Sequence, residues 1–118
     1  MKFSDFFSND FETKDNHKNE VLRTHYYRTD YEKMKEYLKK VFNDEKFELL
    51  SVDDNYHELH FYKVNVEVIV SVFSESYFKQ GVDFKVNSNY IISRGRGLKL
   101  IDRLYNALDK NFEKARHD

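Results

Sequence analysis

Cysteine, proline and tryptophan are absent from this chain of 118 residues, and glycine occurs only three times, at Gly81, Gly95 and Gly97. Without cysteine there can be no disulfide, no thiolate zinc site and no cysteine nucleophile. No Pro- or Gly-rich stretch marks a linker between domains, and there is no internal repeat or low-complexity run. Long hydrophobic runs are lacking too: the most apolar stretch, residues 64–73, is far short of a membrane span. The first twenty residues carry acids early and no apolar segment, so a secretory signal is not expected. An excess of one charge is also missing. Twenty Lys and Arg nearly cancel 21 Asp and Glu, leaving a formal charge of −1. That balance weakens self-repulsion and gives no basis for a dedicated nucleic-acid binder.

Aromatic rings are what the chain has in plenty. Eleven Phe and nine Tyr make 17% of the residues, a share that disordered chains do not reach. With 40% hydrophobic residues in 14.4 kDa, the chain can bury the core of one domain. The expectation is therefore a single cytosolic α+β domain over residues 21–118, preceded by an N-terminal arm over residues 1–20. In the arm, Phe3, Phe6, Phe7 and Phe11 fall on one face at helical spacing. Those rings would dock on the domain core or reach a partner subunit.

Residues 21–28 (VLRTHYYR) are β-branched and aromatic and predict the first strand. Thr29 and Glu32 form an S/T-x-x-E capping box that opens a helix to about Asn43. Its buried stripe is Tyr31, Met34, Leu38, Val41 and Phe42, with Lys33, Glu36 and Lys40 in solvent. From residue 47 the period changes to two. Strands are predicted over 47–52, 56–62, 66–73 and 82–86, and the third, apolar on both faces, is expected at the centre. Gly81 would allow a bulge or tight bend. A second helix over 97–114 buries Leu98, Ile101, Leu104, Tyr105, Leu108 and Phe112. The predicted order is β-α-β-β-β-β-α, an antiparallel sheet with both helices on one face. This order resembles the half-repeat of the TATA-binding-protein-like fold, a likeness of topology that assigns no activity.

The segments LRTHYY (22–27), VDF (82–84) and KLIDRLY (99–105), with the leading FFSNDFETKDNH, resemble a family of small cytosolic Firmicute proteins of unknown function. The resemblance implies one cytosolic α+β domain and carries over no catalytic residue. The Lys- and Asn-rich composition suits a low-GC bacterial source.

Few residues invite chemistry. His57-Glu58-Leu59-His60 has its histidines three apart on a predicted strand, so they cannot face one ion as in the helical H-E-x-x-H motif. No metal and no cofactor is expected. Ser71, Ser74, Ser76 and Ser88 lack a nucleophile elbow. Asp83 is expected to pair with a neighbouring cation. An enzyme, the weakest of three readings, would have to use His25, His57 and Asp83. No catalytic residue is assigned. Arg94, Gly95, Arg96 and Gly97 lie where a helix is expected to start and could hold a small anion. Aromatic strands could stack bases, but their Asp and Glu residues oppose a nucleic acid. The leading expectation is a non-enzymatic interaction module that self-associates, as a dimer by preference. The sheet face (Ile69, Phe73) or the arm (Phe3, Phe6, Phe7, Phe11) would form the contact. The alternative is a small-ligand or anion-binding domain built on Arg94, Gly95, Arg96 and Gly97.

Overall fold

In the computed structural model, which describes residues 11–64, 66–88 and 94–116, the period-two segments form one antiparallel sheet. Its strands are β1 (Phe11–Glu12), β2 (His25–Tyr27), β3 (Glu48–Asp53), β4 (Glu58–Lys63), β5 (Val66–Ser76) and β6 (Lys79–Ser88). The helices are α1 (Tyr31–Asp44) and α2 (Arg94–Asn111). The sheet runs β1-β6-β5-β4-β3, and β2 pairs further along the same edge of β6 as β1. β1 opposes Val86 and Lys85, and β2 opposes Val82, Gly81 and Gln80. The first edge position is thus split, and the break lies opposite Asp83 and Phe84. The element order matches the predicted β-α-β-β-β-β-α, and β5, the strand with apolar residues on both faces, is central.

Alternation sorts the side chains. Val68, Val70 and Val72 of β5, Val82, Phe84 and Val86 of β6, and Leu59 and Phe61 of β4 are buried on one face. They pack with Met34, Leu38 and Phe42 of α1 and with Ile101, Leu104, Tyr105 and Leu108 of α2 in one core. Both helices therefore cover the same face. Glu67, Ile69, Ser71 and Phe73 of β5 point the other way and stay partly exposed.

Local details depart from the expectation in four places. Strand β2 begins at His25, because Glu20–Leu22 close a 3-10 turn ahead of it. The helix cap is Asp30, not Thr29: the Asp30 carboxylate accepts the N–H of Lys33 at 2.8 Å, while Thr29 is buried. Glu32, freed from the expected box, pairs with Lys35. His57 lies in the turn before β4, not on the strand, with φ +53° and its ring stacked on Tyr31 at 3.7 Å. Gly81 sits within regular pairing at negative φ; its role is space. A Cβ there would meet the Phe73 ring at 2.5 Å and Tyr26 at 2.8 Å.

The end of α1 holds a residue that pattern alone does not reveal. Lys46 takes φ +69°, and the next N–H, of Phe47, returns to the carbonyl of Phe42 at 2.9 Å. This is a Schellman closure with a lysine where glycine is preferred, and Phe47 completes it by packing edge-on against Phe42. Lys46→Gly is expected to stabilise the protein by about 0.5–1 kcal/mol, since glycine adopts this conformation without steric strain. Urea unfolding would read it; a loss of stability would show that the lysine side chain outweighs its backbone cost.

Candidate functional site

The split edge determines what happens at Asp83. Thr13 follows β1 and Thr24 precedes β2, so both hydroxyls reach into the break. Each donates to Asp83 Oδ1 at 2.6 Å. Thr13 also receives the Phe84 N–H on its oxygen at 2.9 Å and gives its own N–H to the Phe84 carbonyl. The Tyr105 hydroxyl, donating to the Val82 carbonyl at 2.7 Å, lies 3.1 Å from Thr13 Oγ1. A buried threonine thereby ties the edge, β6 and α2 together.

Asp83 opens onto the uncovered face, where a pocket of about 350 Å³ is lined by Ile69 and Phe73 together with Glu12, Glu58, His60, Ser71 and Lys85. Burial raises the Asp83 carboxyl above the usual range; the two threonine hydroxyls act the other way, and the negative charges of Asp15 and Glu12 add to the rise. No cation pairs with Asp83 among the described residues, contrary to the pairing expected from the sequence. His60 points to the same face as Glu58, 3.7 Å away, as alternation predicts.

For a carboxyl raised in the folded state, the sign of the pH effect is fixed. Its favourable contribution is present below the unfolded value, near 3.9, and is lost as pH rises through the folded value. Asp83→Asn keeps an oxygen for both threonines and removes the buried charge. It is therefore expected to raise the melting temperature at pH 7, with the gain vanishing below about pH 4. A lower melting temperature at pH 7 would show that the charge itself holds the edge.

A second polar cluster lies on the covered side. The Tyr27 hydroxyl, fully buried, donates to Asp109 Oδ1 at 2.7 Å. His25 Nδ1 lies 3.1 Å from the same oxygen, and Lys114 Nζ lies 3.2 Å from Oδ2. The His25 ring stacks on Tyr105 at 3.7 Å. Burial alone would raise the Asp109 carboxyl, but the bonds from Tyr27 and His25 and the neighbouring cations hold it below the usual range. Burial and the bond to Asp109 push the Tyr27 phenol far up. The carboxylate and histidine resemble the Asp–His part of a catalytic triad, yet no serine or threonine hydroxyl joins them among the described residues.

The residues singled out from the sequence are distributed as follows. Ile69 and Phe73 both line the open-face pocket, on either side of Ser71, with Asp83. Phe3, Phe6 and Phe7 lie outside the described residues, and Phe11 opposes Val86 in β1, its side chain undescribed. Helix α2 begins at Arg94, so Gly95 and Gly97 belong to its first turn and do not precede it. The side chains of Arg94 and Arg96 lie outside what is described, and Gly97 is buried. His25, His57 and Asp83 do not converge: His25 faces the helices, Asp83 the open side, and His57 stacks on Tyr31 at the β3–β4 turn. Among the described residues no group of three or more His, Asp or Glu is placed to hold a metal. Nor is any helix long and apolar enough to cross a membrane.

Sequence reasoning missed Asp109, Thr13 and Thr24. Asp109 had a signal: it stands four residues after Tyr105, on the border of the buried stripe, where a carboxylate needs partners. The threonines had none, since their role depends on a break in pairing that only the folded edge creates. No protein-family model, no curated protein and no solved structure matches the chain.

Proposed function

We propose that the protein is a non-enzymatic, cytosolic interaction module whose working surface is the open face of the sheet. The observation that carries this is the asymmetry of the sheet. One face is sealed by two helices, while the other leaves Ile69 half-buried and Phe73 more than a third exposed in the pocket. Apolar side chains held open on a rigid sheet suit a partner better than water. The dispersal of His25, His57 and Asp83 supports the non-enzymatic part. A groove of about 520 Å³ between α1 and the end of α2 is a weaker competitor, because its rings, Tyr37 and Phe112, already pack edge to face at 5.3 Å.

Peptides selected from a random displayed library supply the test, with binding mapped by amide chemical shifts. The expected footprint is β4, β5 and β6, and Ile69→Lys should abolish it while Tyr37→Ala leaves it intact. A footprint on the helix groove would overturn the reading.

Self-association remains the second reading, and one observation favours it. Arg28, Lys79 and Arg116 line a separate pocket of about 220 Å³ where β2 meets the C-terminal segment. Arg28 and Lys79 there already pair with Glu113 and Glu75, so Arg116 is the cation that this corner of one copy offers to the carboxylate-rich face of another. Light scattering across a wide concentration range decides: a mass above 14.4 kDa that falls with added salt supports it. A strict monomer removes it and leaves a foreign partner.

A further inference from the structure

Resting on that reading of the open face, we propose that its pocket seats a lysine side chain from a basic segment of a partner protein, with Asp83 as the counter-charge. The pocket carries three carboxylates, Glu12, Glu58 and Asp83, against one lysine, Lys85, and one histidine, His60, which lies 3.7 Å from Glu58. That sign repels nucleic acid and acidic peptides, and a two-fold copy of the same face would set carboxylates against carboxylates. Ile69 and Phe73, on either side of Ser71, supply apolar surface of the kind that an aliphatic lysine stem packs against.

The atoms of Asp83 narrow the guest further. Oδ1 already accepts two hydroxyls at 2.6 Å, and Oδ2 has no partner among the described residues. A partly buried carboxylate with a spare oxygen and no cation is incomplete, because a buried charge is stabilised by pairing. A single free oxygen suits a compact ammonium. The planar fork of arginine gains its strength from both oxygens at once, and one of them is occupied. Burial raises the carboxyl, and an arriving cation reverses that rise.

The test is an NMR titration of the full chain with tetralysine, tetraarginine, tetraglutamate and n-butylamine, in wild type, Asp83→Asn and Lys85→Gln. Tetralysine is expected to shift amides of β4–β6, and n-butylamine to shift the same set more weakly. Asp83→Asn, which keeps both threonine bonds, should weaken tetralysine about tenfold, and Lys85→Gln should strengthen it. Tetraglutamate should shift nothing there. Unchanged tetralysine affinity in Asp83→Asn, or tetraarginine binding as tightly as tetralysine, overturns the proposal. If library-selected peptides occupy the open face without tetralysine doing so, this inference falls and the interaction reading stands. If neither binds there, both fall.

Discussion

Truncating Phe42 to alanine is expected to cost about 3–5 kcal/mol and to lower the melting temperature by about 12–20 °C. Phe42 is fully buried on α1 and touches rings from three other parts of the chain. It stacks on Phe61 of β4 at 4.0 Å and meets Phe47, at the entry to β3, edge-on at 5.3 Å. Phe84 of β6 lies at 6.2 Å. Alanine removes the shared neighbour, and rings on a hydrogen-bonded sheet cannot collapse fully into the space. The loss therefore includes a cavity as well as transfer free energy. Phe42→Leu, which keeps most of the volume, should cost about 1.5 kcal/mol or less. Calorimetry on both variants checks this. Equal losses for leucine and alanine would mean that ring stacking, not volume, holds the site. Peptide binding to the open face should survive Phe42→Leu unchanged, because the sheet backbone lies between the two.

The periodic parts of this fold were readable because burial writes itself into spacing. The stripe Met34, Leu38, Val41 and Phe42 and the alternation Val82, Phe84, Val86 each describe one side of the core, and both proved buried. The doubly apolar β5 announced its central place for the same reason. Boundaries were legible only where one residue type has one use. Thr29 and Asp30 are both good caps, and the choice between them depends on Thr29 being drawn into the interior. Lys35 is not in the predicted stripe, yet it is buried between Glu32 and Asp54 with its ammonium 5.2 Å from the Tyr31 ring. Long stems let a charge sit over apolar surface, and sequence does not say where the head emerges. Ile69 and Phe73 were identified from the second apolar face of β5. The carboxylates around them were not seen as one group: Glu12 fell in the expected arm, Glu58 on a strand, and Asp83 was expected to pair with a cation, because these three come from strands that register alone brings together.

Replacing Asp109 with alanine should have the other large effect, about 2–4 kcal/mol at neutral pH. The Tyr27 hydroxyl has no access to water, so removing its acceptor leaves a buried donor with only the longer 3.3 Å approach to His25 Nδ1. His25 and Lys114 lose their carboxylate in the same step. The damage should spread to the C-terminal segment, which lies along β2 through the Tyr27–Lys114 bridge and the Ala115 N–H to the Tyr26 carbonyl. Tyr27→Phe on top of Asp109→Ala should recover part of the loss, since it deletes the stranded hydroxyl. The pH dependence follows from the lowered carboxyl. A depressed folded value adds stability above the unfolded value, near 3.9, and that stability drains away as pH falls through the folded one. The gap between wild type and Asp109→Ala in urea unfolding should therefore narrow from pH 7 to pH 3. Its sign is opposite to that at Asp83, whose removal helps most at pH 7. A gap that stays constant with pH would assign the whole effect to the neutral hydrogen bond with Tyr27. A cost under about 0.5 kcal/mol, within the range of ordinary surface changes, would mean that water reaches Tyr27 and the cluster is not part of the core.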